Sequence, residues 1–386
     1  VVSSEDRHGR EERALKPTEF VKVNTQFWGD HLKSVSEHLP TSHGGELPGQ
    51  LLYPRMMVLT ETPDWNILEL VGVSREYRNL DVRRQKANSV EEYFGIADGT
   101  PVLTLPGENI VKDATVATET GRRELDSRFP AARKILGAEY VGPGDQLLQF
   151  APGNYSTFDR VLLVHTAGPA IRVHWTFFAL AIHRSEPAGK YLDFLRNFAS
   201  AAPHLDPVGT LSAPRGDEGL KSEAFTSTYL THGLQDATVE SFLTEHENLL
   251  LTAFDATRLI QRPLLEWRDG DATDEVGLSP DFILERADGS HIVGDLSLPL
   301  REPGKKHRRA TAIPEGTAQL ARYDDYFSTP ENQAFAQTKY GVTAPRKLLV
   351  TSTQQLVSAA ELAQSPVEIV DYDTILRLYL AAKAES

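Results

Sequence analysis

The chain has 386 residues, 40% hydrophobic and 24% charged, which as a prior predicts two domains of ordinary soluble composition with room for a real core. It contains no cysteine, which excludes disulfides, thiolate metal sites and a cysteine nucleophile. Its 40 basic and 54 acidic side chains give a net charge of −14, which argues against a surface that is a nucleic-acid footprint throughout but leaves room for a local basic patch. There is no apolar run of about 18 residues, so no membrane partner is expected. The polar opening VVSSEDRHGR lacks the apolar core of a signal peptide, and a cytoplasmic protein is the expectation.

In chain order, the first half reads as strand-rich α+β. Apolar or alternating runs at 19–24, 56–60, 159–165 and 171–183 predict strands, with Pro/Gly turns between them. A helix is predicted from Ser89, with Glu92 completing a capping box, and another over 190–198. Residues 200–222 hold three prolines and three glycines without an apolar period, and predict an exposed connection. The expected organisation is therefore an N-terminal domain over 1–200, a linker over 201–222 and a second domain over 223–386.

The second half is clearer. In 237–251, Val239, Phe242, Leu243, His246, Leu249 and Leu250 share one helical face, where His246 reads as a core histidine. Residues 280–299 predict two strands around Asp288-Gly289. A helix over 315–327, a buried strand over 347–353, a short helix, a strand over 367–370 and a last helix follow. This order predicts an α/β unit, a mixed sheet with helices on its faces.

Two carboxylates, Asp281 and Asp295, fall on the two strands of the predicted hairpin. Hard oxygen ligands on rigid strands suit Mg²⁺ or Mn²⁺. A two-residue loop would set the carboxylates on opposite faces, so their convergence requires an odd loop or a bulge. A loop over 288–290 would pair Asp281 with Ser297 and Ile283 with Asp295. Phe282, Leu284, Ile292, Leu296 and Leu298 line the other face in either case. Beyond this hairpin, residues 301–322 carry six basic and two acidic side chains, a local excess that suits a phosphate backbone.

Pro280-Asp281, a hairpin, then Asp295 two residues before position 297 resembles the PD-(D/E)XK nuclease superfamily. More narrowly, VESFLTEHENLLL, PDFILERADG, IVGDLSLP, AQLARYDDYF, KLLVTST and VEIVDYDTIL, in that order over about 238–380, resemble the nuclease domain of Shedu anti-phage defence proteins. The resemblance implies a restriction-endonuclease-like mixed sheet flanked by helices, a DNA substrate and a homo-oligomer. It implies a metal held by Asp281, Asp295 and the Leu296 carbonyl, with Glu240 completing the shell. It also implies a site role for Gln319, with Tyr323 one turn on, and a regulatory N-terminal domain.

The motif lysine is absent, because Ser297 stands in its place and carries no positive charge. Three readings stay open: Lys305, Lys306, Arg308, Arg309 or Arg322 supplies the cation; the domain binds DNA without cutting; or the substitution is an inactivating one. Elsewhere, His165, His174 and His183 lack metal-ligand spacing, and Arg122, Arg123, Arg128, Arg133 and Lys134 read as a solvated helix face. There is no Walker loop, GxGxxG, HExxH or GxSxG, so no nucleotide cofactor is expected.

Overall fold

In a computed structural model, the described residues are 13–42, 49–94, 102–103, 110–135, 137–142, 147–148, 152–153, 156–201, 207–213, 216–230, 238–268, 276–297, 300–301, 308–309, 313–352, 362 and 367–384. They form a mixed α/β protein of two compact units. The first holds residues 1–116, 137–162 and 176–223; the second holds 117–136, 163–175 and 224–386. The break at 223 agrees with the expected start of the second domain, but 117–136 and 163–175 cluster with that domain rather than with the first half. Residues 201–222 are not simply an exposed connection either. Val208, Thr210, Leu211 and Ala213 are buried, and a helix begins at Asp217.

In the first unit, α1 (Pro17–Ser42) opens with proline at its first position, where the missing N–H costs nothing. Phe20, Asn24, Trp28, Leu32, Val35 and Leu39 form its buried stripe. This corrects the strand expected over 19–24, whose short alternation masks the longer helical period. β1 (Gln50–Leu52), β2 (Met56–Glu61), β3 (Trp65–Val71) and β4 (Asp81–Lys86) follow. β5 (Ser156–Ala167) and β6 (Ala170–His183) are each divided between the units along the chain. Here β2 lies antiparallel to β3 and parallel to β4, while β3 pairs with Phe178–His183. α1 and α2 (Ala188–Ala201) share one core with these strands, built from Trp28, Met57, Leu68, Phe178 and Tyr191 among others. β7 (Leu211–Ala213) pairs with β1. Of the capping box predicted at Ser89, the hydroxyl accepts the Glu92 N–H at 3.0 Å, while the returning Glu92 carboxylate accepts from Asn88, one residue before the expected partner.

In the second unit, α3 (Val239–Phe254) is capped by Thr238 and Ser241 in a reciprocal box and buries the face expected of it, with Val239 half-buried. β8 (Ala256–Gln261) follows, a half-exposed strand that the sequence does not announce. β9 (Phe282–Arg286), β10 (His291–Leu296), α4 (Ile313–Ser328), α5 (Pro330–Tyr340), β11 (Arg346–Thr351), β12 (Glu368–Asp371) and α6 (Tyr372–Lys383) complete the described part. The short helix expected after 347–353 lies outside the described residues. The strand order is β8-β9-β10-β11-β12, then the second unit's portions of β6 and β5. β8, β9 and β10 are antiparallel neighbours, while β10, β11, β12 and β6 run parallel.

Alternation sorts the faces of this sheet. Ile283, Val293, Leu349 and Ile369 share a core with Leu320, Tyr323 and Tyr326 of α4. Phe282, Leu284, Ile292 and Leu348 are buried on the other side. Two glycines permit close packing. A Cβ at Gly294 would lie 2.1 Å from the Phe282 ring, and one at Gly316 of α4 would lie 2.8 Å from a Leu349 methyl.

Candidate metal and nucleic-acid site

The hairpin register decides whether the carboxylates meet. β9 and β10 pair Phe282 with Gly294 and Leu284 with Ile292, so the next position sets Asp281 opposite Asp295. The loop is odd, as convergence requires, but it spans 287–289 rather than 288–290. Asp281 therefore faces Asp295, not Ser297. The turn chemistry is the cause. Gly289 takes φ +78° at the third loop position, and its N–H donates to the Arg286 carbonyl at 3.0 Å. Asp288 accepts from the Ser290 N–H at 2.9 Å and from its hydroxyl at 2.6 Å, bonds that hold the Asp288 carboxyl below the usual range. The two-residue shift leaves every side chain on its expected face.

The opposed carboxylates are interlocked. The Asp281 N–H donates to Asp295 Oδ1 at 3.1 Å, and the Leu296 N–H donates to Asp281 Oδ2 at 2.8 Å. Both side chains are half-buried. A strand residue directs its N–H and C=O to the same side, so the Leu296 carbonyl also lies on the Asp281 side. Two carboxylates and a carbonyl are an all-oxygen donor set, which fits a hard divalent ion.

α4 supplies the next layer. The buried Tyr323 hydroxyl donates to Asp295 at 3.1 and 3.0 Å from its two oxygens. Gln319 Nε2 donates to the Tyr323 hydroxyl at 3.4 Å, and Arg322 donates to Gln319 Oε1 at 3.4 Å. Burial, and then the Asp295 charge, push the Tyr323 phenol far above its ordinary range, so it acts as a proton-bearing donor. The spacing of Gln319, Arg322 and Tyr323 at i, i+3 and i+4 thus brings one linked chain down onto Asp295.

Other expected residues stand apart. Glu240 is exposed in the first turn of α3, and no group of three or more Asp, Glu or His side chains is placed to hold a metal among the described residues. Ser297 is buried, and its N–H donates to the Val350 carbonyl at 2.8 Å. Lys305 and Lys306 lie outside the described residues. Arg308 and Arg309 form a short backbone ladder with Leu300–Arg301. His246 is a core histidine beside Thr228, at 3.0 Å, and burial lowers it to about 4.

The sequence reading missed two features. Arg262, just after β8, donates its N–H to the Asp281 carbonyl at 2.8 Å; only recognition of β8 as a strand would have placed it. Tyr372, at the start of α6, is fully buried with a hydroxyl that lacks a hydrogen-bond partner among the described residues, and burial, then Asp281, raise its phenol. No protein-family model, curated protein or solved structure matches this chain.

Proposed function

We propose that this chain is a metal-dependent DNA endonuclease of the PD-(D/E)XK kind, related to Shedu proteins, that hydrolyses phosphodiester bonds in bacterial anti-phage defence. The observation that carries the reading is the Asp281–Asp295 pair, opposed on adjacent strands, interlocked through backbone amides and backed by Tyr323. It sits where β10 ends, and in open α/β sheets the carboxyl ends of strands are the usual ligand edge. Asp281, Asp295 and the Leu296 carbonyl would hold Mg²⁺ or Mn²⁺, which when bound supplies Lewis-acid polarisation of the phosphate and a more acidic water. Tyr323 fixes the rotamer of Asp295, and Gln319 and Arg322 fix Tyr323. A cytoplasmic homo-oligomer acting on DNA belongs to the same proposal.

A second reading, a nuclease-fold DNA-binding or assembly module without turnover, is favoured by Ser297, which is buried and uncharged at the lysine position. Cleavage of linear and supercoiled plasmid with Mg²⁺ or Mn²⁺ tests both, using this chain, Asp281→Ala and Ser297→Lys. Cutting by this chain and not by Asp281→Ala supports the nuclease. Cutting by Ser297→Lys alone supports the fold and the metal site in a chain that does not itself turn over. If nothing cuts any substrate, the endonuclease reading fails and the binding module takes its place.

A further inference from the structure

We propose that Arg262 is a substrate-binding residue of this site, the cation that receives a DNA phosphate beside the Asp281–Asp295 pair; this assignment rests on the nuclease reading. Three observations carry it. The first is position. β8 pairs antiparallel with β9, Gln261 opposite Phe282, and the Arg262 N–H to Asp281 C=O bond of 2.8 Å continues that ladder by one step. Arg262, Asp281 and Asp295 are thus successive positions across three neighbouring strands.

The second is backbone strain. Arg262 has φ +43°, in the left-handed region that suits glycine or asparagine and disfavours a long side chain. Pro263 follows, and a proline pushes the residue before it toward extended backbone. The chain keeps an arginine where the local conformation favours another residue, and strain of this kind gathers at functional positions.

The third is charge. Arg262 is exposed and makes no ion pair or side-chain hydrogen bond among the described residues. Other cations of this unit differ: Arg258 pairs with Glu285 at 3.6 Å, Arg268 with Glu266 at 2.5 Å, Lys347 with Asp324, and Arg322 is bound to Gln319. A phosphodiester that approaches two carboxylates needs a compensating cation, and Ser297 does not supply it. A guanidinium binds phosphate through two parallel N–H bonds, which makes an uncommitted arginine suited to this place.

The test compares the full chain with Arg262→Asn, Arg262→Gly and Arg262→Lys. The readouts are thermal midpoint and affinity for a short fluorescent duplex in EDTA, over a range of salt. Asparagine and glycine accept the left-handed backbone, so both variants should melt at or above the wild-type temperature. Both should bind DNA about tenfold more weakly, with a salt slope smaller by about one phosphate contact. Lysine should recover part of the affinity. If the Asn and Gly variants melt higher and bind DNA with unchanged affinity and slope, Arg262 is only a turn residue and the assignment is wrong. If the wild type binds duplex DNA neither in EDTA nor with Mg²⁺, the nuclease reading fails first and this inference falls with it.

Discussion

Replacing Asp281 by Asn separates a metal site from a structural clamp. Directly opposed strand residues have Cβ atoms about 5 Å apart. Two like charges at about 5 Å repel by about 0.8 kcal/mol in water and about 3.3 kcal/mol at an effective dielectric constant of about 20. The half-burial of both groups places the pair between these limits. Asn removes the repulsion and keeps an oxygen for the Leu296 N–H, at the loss of that bond's charge assistance, about 1 kcal/mol. Asp281→Asn should therefore be at least as stable as the wild type without metal. Asp281→Ala, which also loses the acceptor, should fall about 1 kcal/mol below the Asn variant. With divalent ion at ten times its dissociation constant, linkage adds about 1.4 kcal/mol to the wild type and little to either variant. At about 2–4 °C per kcal/mol for a unit of this size, Mg²⁺ should raise the wild type by about 3–6 °C relative to either variant. If Asp281→Asn melts well below the wild type in EDTA, and Mg²⁺ shifts all three proteins alike, the carboxylates are a hairpin clamp and the metal-site argument is refuted.

Gly294→Ala should cost about 1–3 kcal/mol, because its Cβ would enter the space of the Phe282 ring at 2.1 Å; denaturant unfolding checks this, and Phe282→Leu in the same chain should recover part of the loss. Tyr323→Phe should destabilise by about 1–2 kcal/mol and, in a double-mutant cycle with Asp295→Asn, show about 0.5–3 kcal/mol of coupling; additive losses would mean the hydroxyl does not hold Asp295. Burial lowers His165 to about 3 and His246 to about 4. Unfolding lets both bind protons below about pH 6.5, so the stability they lend above that pH is lost as pH falls toward 4, at up to about 2.7 kcal/mol per pH unit for two protons. Asp159, raised by burial to about 7, binds its proton in the folded state over the same window and offsets about one histidine; His246→Phe should therefore lose less stability than the wild type between about pH 6.5 and 5 in denaturant midpoints, and an identical pH dependence for the two proteins would contradict the burial argument for His246.

Elements with a long, undisturbed period were legible. Phe242, Leu243, His246, Leu249 and Leu250 announce α3, and the face sorting of Phe282, Leu284, Ile292 and Leu296 holds although the loop is placed one residue off. That error has a local cause: the turn is set by which residue must take positive φ, and Gly289 takes it at the last loop position rather than the middle one. α1 was hidden because its stripe passes through a polar residue, Asn24, which is buried and bonds the Tyr191 hydroxyl at 2.6 Å. β8 was hidden because a half-exposed strand following a helix carries no strict alternation. The grouping of segments 117–136 and 163–175 with the second unit was not legible, since they join it through contacts distant in sequence.

The same logic explains why the carboxylate pair, Gln319 and Tyr323 were named from the sequence and Arg262 was not. Asp281 and Asp295 are fourteen residues apart on one hairpin, so local turn chemistry alone brings them together. Gln319 and Tyr323 lie on a helix whose own period aligns them, but their reach to Asp295 depends on α4 packing closely on β11, which Gly316 permits. Arg262 depends on a third strand pairing with the hairpin, and no local signal carries that. The arrangement is therefore set in three steps of increasing range: the hairpin places the anions, the helix orients one of them, and the neighbouring strand sets the Arg262 backbone opposite the other. Under the proposed nuclease reading, Ser297 carries no charge where that family's motif has lysine, and the strained, exposed Arg262 is the residue proposed to supply a cation in its stead.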